Sequence, residues 1–374
     1  MRGLFLSGGG ARGAYQTGVL KALADIAGPG GNSPFELLSG VSAGAINTAF
    51  LASHAEHFTN ACHDLAALWS DLTCNQIYRT GSISLLRGGM GFLWRGVSHS
   101  RNPTERGQSL LHTKPLKALL RDHIDFSQIA NNIEQGHLKG IEISSINYSS
   151  SETVAFYDAA YPVQDWQRHR RHSKAEKITC EHVLASAALP IFFPAVEVDG
   201  HYYGDGSLRN MAPLSPLIRL GASRILVVDV AHKVDAEMMM RSQAAHLHPS
   251  IGRIFGLLLN SILMDNLERD LDALQRINEK LDVLHPATRS QLSWRPIEVM
   301  ILRPSEDLAA YASTQISAIP PQLRYMIGML GSQDQNSELL SYLNFEAPFC
   351  QYLIKVGYQD TMAQREELRR FLQL

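Results

Sequence analysis

A chain of 374 residues, 45% hydrophobic and 19% charged, has ordinary globular composition and is long enough to bury one large α/β domain or two modest ones. A formal net charge of −2 argues against a nucleic-acid partner or a strongly basic membrane protein. Cys62, Cys74, Cys180 and Cys350 lie far apart and form no CxxC, which points to reduced thiols in a cytosol-like compartment rather than a disulfide frame or a zinc site. No secretory apolar run opens the chain, and IFGLLLNSILM, the longest apolar stretch, is interrupted by Asn260 and Ser261 and too short to span a bilayer. A soluble, cytoplasmic protein is therefore expected, with export that reads no cleavable signal left open.

Residues 2–7 (RGLFLS) read as a short buried strand that runs straight into glycines. From Arg12 to Ala27 the apolar residues Tyr15, Val19, Leu20, Leu23 and Ile26 recur at helical spacing, and GPGGNSP then stops the helix. Phe35 to Val41 reads as a second strand and Ser42 to Ala52 as a small-residue helix. This order predicts two parallel strands joined by a right-handed crossover. Residues 55–139 read as a mainly helical insert. Its interruption, TGSISLLRGGMGFLWRGVSHSRNP, is either an ordinary loop pinned by Leu93 and Trp94 or a mobile cap, centred on Gly81–His99, over an apolar site.

Strands return with GIEISSINY and TVAFYD. VEVDGHYY reads as a hairpin, with Asp199-Gly200 supplying the positive φ angles of a type I′ turn. ILVVDV at 225–230 reads as a buried strand, 250–281 as a long amphipathic helix, and IEVMIL at 297–302 as the last strand of the sheet. The tail from Ser305 reads as helices broken by Pro320-Pro321 and Pro348. With no repeat or low-complexity linker, the expected organisation is an α/β domain over 1–304 and a helical extension over 305–374 packed on it.

Two glycine motifs compete to define the chemistry. Gly8, Gly10 and Gly13 follow a strand and open a helix at the spacing of a dinucleotide-binding loop. That reading also needs an acidic residue at the end of the second strand to hold a ribose, and Glu36 stands at its start instead. Gly40-Val41-Ser42-Ala43-Gly44 has the spacing of a nucleophile elbow, a sharp strand-to-helix turn that presents a serine at a helix N-terminus. If the two strands are adjacent and parallel, both motifs open on one edge of the sheet. The backbone N–H groups of Gly9, Gly10 and Ala11 then face the carbonyl that Ser42 attacks, and the first motif becomes an oxyanion hole. A standard α/β hydrolase places its nucleophile late in the chain, so the early Ser42 argues against that fold.

GGGARG, GVSAG and a later DGS, in that order, resemble the patatin-like phospholipases. ASAALPIFFPAV, DGSLRNMAPL and GASRILVVDV fit the same family, and the likeness covers about residues 1–230. The resemblance implies a three-layer α/β/α fold with a central, mostly parallel sheet. It also implies a serine–aspartate dyad: Ser42 as nucleophile, Asp205 as its base, and Gly8, Gly9, Gly10, Ala11, Arg12 and Gly13 as the oxyanion loop. Gly40 and Gly44 frame the elbow. Ser207 departs from the glycine or alanine usual after the Asp-Gly pair. The expected reaction is hydrolysis of carboxylic esters of phospholipids or lysophospholipids at a peripheral membrane surface, without metal or cofactor. A short-chain esterase or thioesterase, or a lipid-binding regulator, are the alternatives.

The residues add their own conditions. Asp205 is a poor base near its ordinary pKa of about 3.9, so desolvation or a hydrogen bond to Ser42 must raise its proton affinity. A triad would draw on His201, His232, His246 or His248. Arg12 either packs the loop or meets a lipid phosphate.

Overall fold

The computed structural model describes residues 1–28, 33–80, 109–232, 251–263, 265–289, 291–292, 294–329 and 337–374. Gly81–His99, His246 and His248 lie outside these residues. The strands are β1 (Arg2–Leu6), β2 (Leu37–Gly40), β3 (Arg79–Thr80), β4 (Leu111–His112), β5 (Gly140–Asn147), β6 (Glu152–Ala159), β7 (Gln167–Arg168), β8 (Arg171–Ala175), β9 (Val196–Val198), β10 (His201–Asp205), β11 (Arg224–Val228) and β12 (Glu298–Leu302). Ten of them form one sheet in the order β12-β11-β1-β2-β5-β6-β8-β7, with β10 and β9 attached to β5. β12, β11, β1, β2 and β5 are mutually parallel, as the predicted crossover requires.

Alternation along the central strands sorts side chains onto two faces. Leu4, Leu6, Leu226 and Val228 enter one core, with the helices α1 (Gly13–Ala27), α2 (Ala43–Ser53) and α3 (Phe58–Ser70). Phe5, Ile225 and Val227 enter the other, with the helices Ser215–Arg219 and Asp265–Asp282. The result is a three-layer α/β/α arrangement around a mostly parallel sheet.

One strand organises the region of interest. Along one edge β5 pairs with all of β6. Along its other edge the first half, Gly140–Ile143, pairs with β2 in parallel, and Ser145–Asn147 pairs with β10 antiparallel. β2 and β10 therefore run head to head on the same edge, separated only by the register position of Ser144. The C-terminal end of each strand points at the other.

Several expectations need adjustment. β10 continues through Asp205, so the second arm of the hairpin runs two residues beyond VEVDGHYY. Asp199 and Gly200 do take the positive φ values of 49° and 78° expected of them. Pro321 and Pro348 sit in the first turns of the helices Pro321–Gly328 and Ala347–Ala363, where a missing N–H costs nothing, so they begin helices rather than break them. The helix Ala347–Ala363 buries Phe349, Leu353 and Val356 in the same core as Tyr15 and Val19 of α1. The Leu343 carbonyl accepts from Tyr78 Oη at 2.6 Å, and Glu346 Oε1 accepts the Cys74 N–H at 3.1 Å.

Candidate functional site

The chain leaves β2 at Gly40 and enters α2 at Ala43, and Ser42 takes the whole turn with φ 57° and ψ −126°. Left-handed backbone of this kind costs a non-glycine residue about 1–3 kcal/mol and persists only where its surroundings hold it. Here a Cβ on Gly44 would run into the Leu6 carbonyl, so glycine lets α2 dock against the end of β1. The Ser42 N–H donates to Ser186 Oγ at 3.0 Å, and Ser186 Oγ donates onward to the Ser144 carbonyl at 2.7 Å. Ser186 thus ties the elbow to Ser144, the position of β5 left between β2 and β10. The Ser42 side chain does not cap α2, which leaves its hydroxyl available.

Asp205 ends β10 opposite that elbow and is completely buried. Its Oδ1 accepts the Ser207 N–H at 2.9 Å, while Oδ2 has no hydrogen-bond partner among the described residues. Burial pushes its pKa up to about 6, against the opposing pull of the Ser42 hydroxyl and of Ser207. The carboxylate senses Ser42 without a fully formed hydrogen bond, a looseness common before substrate binds.

The glycine loop closes the third side. A Cβ on Gly8 would stand 3.1 Å from Ser42 Cβ, so the loop and the serine are in direct contact. Ser7 anchors its start: Ser7 Oγ donates to Asp229 Oδ1 at 3.2 Å, and Gln16 Nε2 donates to the Ser7 carbonyl at 2.7 Å. Asp229, raised by burial and pulled back by Arg303, is held by Arg303 Nε at 3.2 Å. Gly10 has φ +56°, and the Tyr342 carbonyl occupies the place a Cβ would take. Arg12 is buried, donates through Nε to Ser341 Oγ at 2.8 Å, pairs with Glu338, and lies 4.5 Å over the Tyr342 ring. Of its two readings, the side chain is engaged in packing the loop.

Ser42 and Gly10 line an apolar cavity together with Ile46, Phe50, Leu65, Trp69, Leu116, Leu120, Phe193 and Phe345. These residues come from α2, α3, the segment before β5, the segment before β9 and the C-terminal region. A serine held in a strained turn, a carboxylate of raised proton affinity and a backbone glycine loop thus meet beside an apolar cavity. The remaining candidates fall elsewhere. Glu36 lies at the opposite end of the sheet, against Arg2. His232 Nδ1 contacts the Pro304 carbonyl at 3.1 Å and His201 is exposed. Among the described residues, no histidine hydrogen-bonds Ser42 or Asp205, and the buried His182 pairs with Glu176.

Ser186, Asp229 and Glu142 escaped the sequence reading. Glu142 is buried between Ser39 Oγ at 2.6 Å and Ser144 Oγ at 2.5 Å, and burial pushes its pKa up to about 7 despite those two donors. The signal for Ser186 was its place in ASAALP; a lone acid within apolar GIEISS was the signal for Glu142.

A family model for patatin-like phospholipases matches residues 4–218. A cGAMP-activated phospholipase of Pseudomonas aeruginosa is 28% identical over 211 residues, 56% of this chain and 53% of that protein. The match thus spans about half the length of that relative. Among solved structures, VipD of Legionella pneumophila aligns with 98% of this chain and 67% of its own at 13% identity and a TM-score of 0.40. ExoU, in its complex with SpcU from the type III secretion system of Pseudomonas aeruginosa, aligns with 98% and 76% at 15% identity and a TM-score of 0.25.

Proposed function

Since the chain belongs to the patatin-like phospholipase family, we propose that it is a serine lipid acyl hydrolase cleaving carboxylic ester bonds of phospholipids or lysophospholipids at a membrane surface. Ser42 Oγ attacks the ester carbonyl as Asp205 takes its proton. The N–H groups of Gly9, Gly10 and Ala11 receive the charge that develops on the carbonyl oxygen. The tetrahedral adduct expels the alcohol, which takes the proton from Asp205, and an acyl-Ser42 remains. Water then attacks that ester with Asp205 again as base, and the fatty acid leaves. The observation that carries this reading is the meeting of Ser42, Asp205 and the glycine loop, with Ser42 and Gly10 lining an apolar cavity. That apolar lining favours an acyl chain over a short-chain ester. We assign the hydrolase unit to residues 1–304, with 305–374 as a helical extension that backs the glycine loop.

A hydrolysis screen over phospholipids, lysophospholipids, acylglycerols and acyl-CoA, with Ser42→Ala as blank, tests the proposal. Absence of any activity above that blank, together with no labelling of Ser42 by a fluorophosphonate, would replace it with a lipid-binding regulator.

The pH dependence follows from the base. Asp205 must be ionised to accept a proton and has a pKa raised to about 6. On a soluble ester, kcat/KM is expected to rise through about pH 6 and level off above it. A profile already flat from pH 5 upward would contradict the assignment. Histidine carries no role in this mechanism. His201→Ala and His232→Ala are therefore expected to stay within about tenfold of the parent, short of the loss a general base causes. A thousandfold loss in a folded variant would restore a triad.

A further inference from the structure

The sheet end that carries Ser42 and Asp205 also carries a cluster of arginines that the mechanism does not use. One row of paired residues crosses the sheet from Asp205 through Ser145 and Val154 to His172. Strand spacing puts its ends about 14 Å apart. The two-residue turn His169-Arg170, between β7 and β8, lies just beyond that row, toward the C-terminal end of β5. Arg168 and Arg170 are exposed there, Arg171 is half-buried beside them, and Arg209 reaches the same shallow concavity from the turn that follows Asp205. Arg209 donates to the Ser151 carbonyl at 3.3 Å, which joins the cluster to the β5–β6 turn. Met211 lines the same concavity and is 62% exposed, and Tyr148, 40% exposed, precedes the β5–β6 turn that Arg209 contacts.

Charge on an edge hairpin has a bland explanation, since charged edge strands resist aggregation. That accounts for β7 but not for Arg209, which comes from another element. Nor does it account for the missing counterions. Among the described residues, no ion pair joins Arg168, Arg170, Arg171 or Arg209 to a carboxylate. Asp270, whose charge Arg171 does feel, is mostly buried and accepts the Leu214 N–H at 2.9 Å. Arg170 also holds φ 57°, where glycine or asparagine is ordinary, so a cation is kept at a backbone position that disfavours it. Unneutralised arginines interleaved with an exposed Met and Tyr match the headgroup region of an anionic bilayer, which offers phosphates above and hydrocarbon below.

We infer that the β7–β8 turn, Arg209, Met211 and Tyr148 form the surface on which this protein docks to anionic membrane, with the Ser42 end of the sheet turned toward the lipid. The orientation rests on the hydrolase reading; the docking itself does not.

Sedimentation with vesicles of phosphatidylcholine, alone or with one third phosphatidylglycerol, tests it on the full chain. The protein is expected to prefer the anionic vesicles and to lose that preference at high salt. Each basic side chain at such a surface is worth about fivefold, so Arg168→Gln with Arg170→Gly is expected to weaken binding about twentyfold. Glycine suits the left-handed turn, so the melting temperature should hold or rise. Hydrolysis of a soluble short-chain ester should be unchanged. Indifference of the parent to anionic lipid, or a double variant that binds like the parent, would overturn the proposal. So would a double variant that loses only inorganic pyrophosphate, since that marks a site for a soluble anion. Intact docking by a parent that hydrolyses no ester would sink the hydrolase reading and leave the docking surface standing.

Discussion

Ser42→Ala and Asp205→Asn are each expected to lower hydrolysis at least about a thousandfold, and the double variant to be little worse than either. On the proposed mechanism the two groups act in one event: without Asp205 the serine proton has no acceptor, and without Ser42 the carboxylate has nothing to activate. Independent losses would multiply to about a millionfold, so the double variant separates a unit from two separate contributors. Near-parental activity in Asp205→Asn would remove Asp205 as the base. Asp205→Asn carries a second expectation of opposite sign. The folded protein holds the Asp205 proton to about pH 6, above the ordinary 3.8 of the unfolded chain, because the group is fully buried. Stability from that proton is complete below about pH 4 and is lost as pH rises through 6. At pH 8 the parent therefore carries an ionised carboxylate that costs about 3 kcal/mol, which an asparagine does not. Thermal unfolding at pH 8 should show the inactive variant to be the more stable protein, and the difference should vanish at pH 4.

Gly10→Ala is expected to reduce kcat about a hundredfold with little change in KM, as removal of one oxyanion donor costs roughly 3 kcal/mol in the transition state. Two features of the position enforce this. Its φ of +56° is uphill for alanine by about 1–2 kcal/mol, and the added methyl would collide with the Tyr342 carbonyl. Tyr342 belongs to the helix Ser337–Leu343, which also supplies Glu338 and Ser341 to Arg12. The loop can yield only by swinging away from that helix, which re-aims the N–H groups next to Ser42. Some loss of melting temperature should accompany the kinetic defect. Full turnover with a merely less stable protein would show that the loop has no part in charge stabilisation, and would count against the oxyanion assignment.

The first fifty residues were legible because each signal there is local. Tyr15, Val19, Leu23 and Ile26 mark a helix by spacing alone, and the glycines of GVSAG mark a turn by what they lack. The adjacency of β1 and β2, on which the meeting of the two glycine motifs depends, was only a condition in the sequence and is supplied by their pairing in the sheet. Asp205 was reachable only through the order of motifs, since nothing in HYYGDGS reveals that the strand ends head-on against β2. The β7–β8 hairpin was missed because QRHRRHSKA has no apolar alternation to betray a strand. Arg12 stayed ambiguous for a different reason: its partners, Glu338 and Ser341, lie more than three hundred residues away, and no periodicity reports on a contact of that separation. The same distance hid the support that the C-terminal helices give to the glycine loop.

The edge that β5 shares between β2 and β10 behaves as a ruler. Ser42 and Asp205 each sit at the tip of a strand whose position is counted off in hydrogen bonds along that one rail. A strand can slip along such a rail only in steps of two residues if its core face is to stay inward, and each step is about 6.7 Å. The gap between Ser42 and Asp205 therefore has no nearby settings. It is insensitive to the small breathing of surface loops, yet a single residue inserted into β5 at Ser144 should switch it off completely while most of the sheet survives. Such a gap is digital rather than elastic.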